Sequence, residues 1–106
     1  MIKIVNRGYI YIKPLPPFFE WANQHDEDFE NLTDNEGSIY LIEDDFYDDE
    51  PVIKANFKKI FENELFAITD NEELFPEITF EQFEQWFSYE LGTMVLDTQK
   101  TDLLRD

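Results

Sequence analysis

Between residues 8 and 13 the chain alternates, Gly8-Tyr9-Ile10-Tyr11-Ile12-Lys13, and β-branched and aromatic residues at a period of two predict a strand. Pro14 withdraws the next backbone donor and ends it. Pro16 and Pro17 preset φ for a first helical turn, and Phe18, Phe19, Trp21 and Ala22 supply the apolar groups of a short helix ending near Gln24. From His25 to Gly37 the composition turns polar and acidic. Asn31, Thr33, Asp34 and Asn35 lead into Gly37, which predicts a loop with room for one helical turn around Phe29. Ser38-Ile39-Tyr40-Leu41-Ile42 then reads as a short, largely buried second strand.

Pro51 suits the first turn of a helix, and Asp48, Asp49 and Glu50 complement the positive end of its dipole. Ile53, Phe57, Ile60, Phe61 and Leu65 recur at helical spacing, so the longest helix is predicted from about Pro51 to Phe66, with Lys54, Lys58 and Lys59 facing outward. After an acidic linker from Asp70 to Glu77, Thr79 with Gln82 three residues on forms a capping-box pattern. It opens a helix through Phe80, Phe83, Trp86 and Phe87. Gly92 marks the change to a last strand, Thr93-Met94-Val95-Leu96, which Asp97 ends. The expected fold class is α+β in the order β-α-β-α-α-β, a three-stranded sheet with about three helices covering one face. A single domain is expected over residues 1–97, with a frayed tail over 98–106.

Eleven Phe, five Tyr and two Trp in 106 residues carry too much apolar surface for a disordered acidic chain, so a packed core is expected. The charge balance, 25 Asp+Glu against 8 Lys+Arg and −17 at pH 7, repels nucleic-acid phosphates and anionic lipid headgroups. Neither direct nucleic-acid binding nor membrane binding is expected. The same field favours a basic partner protein and keeps a chain soluble as a monomer or small homo-oligomer. The absence of cysteine removes disulfides, thiolate zinc sites and cysteine nucleophiles, and suits a reducing compartment. No apolar run approaches the roughly 20 residues that span a bilayer, and no secretory apolar segment follows Met1-Ile2-Lys3-Ile4-Val5-Asn6-Arg7. The expected location is cytoplasmic.

Three stretches together carry a family pattern: Ile12-Lys13-Pro14 running into Pro17-Phe18-Phe19-Glu20-Trp21, then Ile39-Tyr40-Leu41-Ile42, then Ile60-Phe61-Glu62-Asn63-Glu64-Leu65 through Thr79-Phe80, Phe83 and Trp86-Phe87 to Val95-Leu96-Asp97. Over residues 7–97 the chain resembles a family of small, acidic, uncharacterised bacterial proteins, and departs from it at Leu15. The resemblance implies a compact bacterial protein and lends no activity.

Carboxylate pairs can run acid-base chemistry or hold a metal, but with 25 acids in 106 residues close pairs arise by chance. The runs Asp34-Asn35-Glu36-Gly37-Ser38 and Asp44-Asp45-Phe46-Tyr47-Asp48-Asp49-Glu50 offer oxygen ligands without the spacing of an EF-hand. His25 is the one imidazole, and no nucleophile-elbow pattern surrounds Ser38, expected at a strand start, or Ser88, expected in a helix. Gly8, Gly37 and Gly92 lie too far apart for a phosphate loop. No catalytic residue, metal ligand or cofactor motif is assigned. The stripe Phe80-Phe83-Trp86-Phe87 reads as core first and ligand groove second. What stands out is an acidic crest, Glu43, Asp44, Asp45, Asp48, Asp49 and Glu50, enclosing Phe46 and Tyr47. Two aromatics amid six carboxylates suit anchoring and steering of a basic partner protein, as in an inhibitor, an immunity-type protein or a mimic of nucleic-acid charge. The alternative is a carboxylate-based divalent-metal-binding protein or a small metal-dependent enzyme.

Overall fold

The structure, a computed structural model, describes residues 1–25 and 36–104. Its elements in chain order are β1 (Lys3–Val5), β2 (Gly8–Pro14), α1 (Pro16–His25), β3 (Ser38–Ile42), α2 (Asp49–Phe66), α3 (Phe80–Trp86), β4 (Phe87–Gly92) and β5 (Val95–Asp97), with a 3-10 turn at Glu72–Leu74. The fold is α+β. The helical turn expected around Phe29 lies outside the described residues.

The three-stranded sheet runs β3-β2-β4, antiparallel throughout. Its register follows from the alternation in β2. Ile10 and Ile12, both fully buried, sit beside Tyr40 and Ser38 of β3 and beside Leu91 and Tyr89 of β4. Tyr9, Tyr11 and Lys13 take the other face with Leu41, Ile39, Glu90 and Ser88. The described helices cover only the first face. There Phe18, Trp21 and Ala22 of α1, Ile53, Phe57, Ile60, Phe61 and Leu65 of α2, and Phe83 and Trp86 of α3 join Ile10, Ile12 and Phe87 in one core cluster. Rings knit it together: Phe61 lies 5.9 Å from Phe83, 5.7 Å from Trp86 and 5.5 Å from Phe87 between centroids. The aromatic stripe is therefore core.

Caps and ties fix the ends. Leu15 N–H donates to the Trp86 carbonyl at 2.8 Å, and Trp21 Nε1 donates to the Leu74 carbonyl at 2.8 Å. Thr79 Oγ1 accepts from Gln82 N–H at 3.1 Å, which is half of the expected capping box.

Four expectations are corrected. The last helix stops at Trp86, and Phe87 continues directly in extended conformation (φ −139°, ψ 144°) as β4. Phe87, Tyr89 and Leu91 alternate with exposed Ser88 and Glu90, and β2 needs a second partner to bury its inner face, so tertiary pairing wins over the helical stripe. Consequently Ser88 lies in a strand. The predicted last strand shrinks to β5, which pairs antiparallel with the unexpected β1. Finally, β3 is only half buried, because nothing among the described residues covers its outer face: Ile39 is 66% and Leu41 49% exposed.

β1 and β5 form a second, two-stranded sheet that follows the β2–β4 ladder along the chain. Tyr9 faces Gly92 and Val5 faces Val95, so Asn6, Arg7 and Gly8 stand against Thr93 and Met94 alone. This unpaired step, three residues against two, separates the two sheets. Gly8 ends it where backbones crowd: a Cβ there would lie 2.7 Å from the Glu43 carbonyl oxygen and 2.8 Å from that of Gly92.

Candidate functional site

The acidic crest links β3 to α2 at this crowded corner. Phe46 is half-buried and packs toward Gly8, its Cε1 3.0 Å from where a Cβ would be. That pins the loop from one side. Every other residue from Glu43 to Glu50 is exposed, and Tyr47 is 99% exposed. Of the two crest aromatics, one holds the loop and one is presented.

The carboxylates divide in the same way. Asp49 and Glu50 occupy the first turn of α2, where the positive end of the dipole favours them. Glu50 Oε1 also meets Lys54 Nζ at 2.7 Å, and that hydrogen bond and charge hold the Glu50 carboxyl below its usual range. Asp48 stands at the N-cap with an extended backbone, yet its side chain makes no cap hydrogen bond. Among the described residues no other crest carboxylate forms an ion pair, which leaves five of the six unneutralised.

The acidity continues past the crest. Tyr89 Oη donates to Glu84 Oε2 at 2.9 Å, and Asp49, Glu50 and Glu84 surround the same depression. Burial first, then the bond to Glu84 and the charges of Glu84, Glu50 and Asp49, push the Tyr89 hydroxyl up to about 12. On the far side of α2, Tyr40 Oη donates to Glu64 and accepts from Asn63 Nδ2 at 3.0 Å. Burial and Glu64 raise the Tyr40 hydroxyl well above its ordinary value.

A cleft of about 650 Å³ opens between β3 and α2. Tyr40, Leu41 and Ile42 form one wall, and Val52, Ala55 and Lys59 the other. Glu43, Asp45 and Phe46 close the end nearest the crest, where Arg7 also reaches in. Lys59 forms no ion pair among the described residues. The volume and mixed lining fall in the range of binding clefts. Sequence reasoning missed it, because strand and helix meet only in the folded chain. The one signal was the uncharged, unbroken run from Ser38 to Ile42.

His25 ends α1 with its ring 5.4 Å from Trp21. Among the described residues no three His, Asp or Glu side chains are placed to hold a metal ion, and no helix is long and apolar enough to cross a membrane. Asp34 and Asn35 lie outside the described residues. No family model, curated protein or solved structure matches the chain, so geometry alone carries the functional reading.

Proposed function

We propose that this chain is a non-enzymatic interaction protein of the inhibitor type, binding a basic partner protein through Glu43, Asp44, Asp45, Phe46, Tyr47, Asp48, Asp49 and Glu50. The observation that carries the reading is Tyr47, 99% exposed amid six carboxylates. An exposed, rigid aromatic anchors an interface over a large area, and surrounding negative charge steers a cationic surface into contact. Clustered like charges repel, and the helix dipole offsets that repulsion only for Asp48, Asp49 and Glu50. Stability therefore gives no reason for Glu43, Asp44 and Asp45 to stand together; a cationic partner does.

The test is capture from cell extract on three immobilised proteins at low and high salt. One is the wild type, one carries Asp→Asn at Asp44, Asp45, Asp48 and Asp49, and one carries amides at Asp70, Glu72, Glu73 and Glu77. The two variants have equal net charge. Basic proteins retained by the wild type should stay on the linker variant and be lost from the crest variant and at high salt. Equal retention by the two variants would sink the proposal, since bulk charge alone would then explain binding.

A further inference from the structure

We infer that the partner contributes an extended basic segment that adds as a strand to the free edge of β3, with alternate side chains entering the cleft against α2. The inference deepens the proposed function and rests on it for the partner's charge. β3 is the outer strand of the sheet, and no described strand pairs with its far side. Natural edges are shielded by charge, proline or a bulge, yet Ser38 to Ile42 contains neither charge nor proline. Its five pairs with β2 run without interruption.

Both faces of such an added strand find partners. One set of side chains would enter the cleft beside Val52 and Ala55. The other would lie next to Ile39 and Leu41, whose exposure of 66% and 49% leaves cross-strand positions open. Lys59 and Arg7 supply donors along the cleft for carbonyl oxygens. This is strand addition, in which the backbone ladder gives affinity and alternate side chains give selectivity.

Charge at the crest end names the occupant, while Arg7 and Lys59 restrict the side chains that enter the cleft to uncharged ones. β3 runs straight into Glu43, and Glu43 and Asp45 line the end of the cleft. A segment paired along Leu41 and Ile42 must therefore pass the crest, where basic side chains meet unneutralised carboxylates. A second copy of this chain would bring another −17 and no cation on its own β3.

Three probes test this against the full chain by fluorescence titration: an end-blocked peptide alternating lysine and valine, the same peptide methylated at every backbone nitrogen, and spermine. Strand addition predicts that methylation weakens binding by about tenfold or more, because the charge is kept while the backbone donors are lost. It also predicts slowed hydrogen exchange at β3 amides in the unmethylated complex. Equal binding of both peptides, weakened alike in the crest variant, would overturn strand addition and leave the crest reading intact. If the lysine-valine peptide does not bind, strand addition is also overturned. Spermine then judges the crest by itself, since it carries charge and has no backbone.

Discussion

Among the buried rings, Phe61 is one whose truncation should cost a large share of the stability. It is fully buried and its ring meets those of Phe83, Trp86 and Phe87 within 5.5 to 5.9 Å, so it joins α2 to α3 and β4. Phe61→Ala removes a ring from a close-packed site and leaves a cavity, a loss of about 3–5 kcal/mol. Three ring pairs, each contributing about 0.5–1.5 kcal/mol beyond area burial, place it in the upper half of that range. Against a native stability of about 5–15 kcal/mol the alanine variant would be largely spent, so Phe61→Leu gives the measurable companion at about 1–3 kcal/mol. Urea unfolding followed by far-ultraviolet circular dichroism should show a lower midpoint at unchanged slope. Tyr47→Ala is the contrast, with an expected change within about 0.5 kcal/mol. If Phe61→Ala lost less than about 2 kcal/mol, or Tyr47→Ala lost more than Phe61→Leu, the assignment of one ring to the core and the other to the surface would be wrong.

Further outcomes follow from single contacts. Thr79→Ala should lower stability by about 1 kcal/mol, since it removes the acceptor for Gln82 N–H, and Thr79→Ser should recover most of it in the same urea assay. Gly8→Ala should cost about 1–3 kcal/mol, because the new methyl meets backbone oxygens of Glu43 and Gly92 that cannot swing away as a side chain would. Tyr40 and Tyr89 both hold their protons more tightly when folded. Their contribution is fully present below the unfolded tyrosine value of about 10 and is lost as pH rises from there through the folded values. Melting temperature should accordingly fall between about pH 10 and 12, and less steeply in Tyr40→Phe and Tyr89→Phe.

Punctuation and period made much of this fold legible. Pro14 and Pro16 bracket the change from β2 to α1, and Ile53, Phe57, Ile60 and Phe61 mark the inner stripe of α2 without ambiguity. The stretch from Phe80 to Leu91 resists the same treatment because it satisfies two periods at once. Phe80, Phe83, Trp86 and Phe87 fit a helix, while Phe87, Tyr89 and Leu91 alternating with Ser88, Glu90 and Gly92 fit a strand. Only the need of β2 for a second neighbour decides between them. β1 spans three residues, too few to show a period, and exists through its pairing with β5. The crest could be read as composition, but its division into a packed Phe46 and a presented Tyr47 depends on the corner at Gly8.

The most direct test of the crest as a recognition surface is the association rate of a recovered basic partner, measured by stopped flow across a salt series. Opposed charges that guide encounter predict a fast rate at low salt that falls steeply as salt screens them. Neutralising Asp44, Asp45, Asp48 and Asp49 should flatten that dependence, Tyr47→Ala should act on dissociation instead, and neutralising the linker acids should change neither. A rate that follows net charge whichever acids are removed would contradict the account.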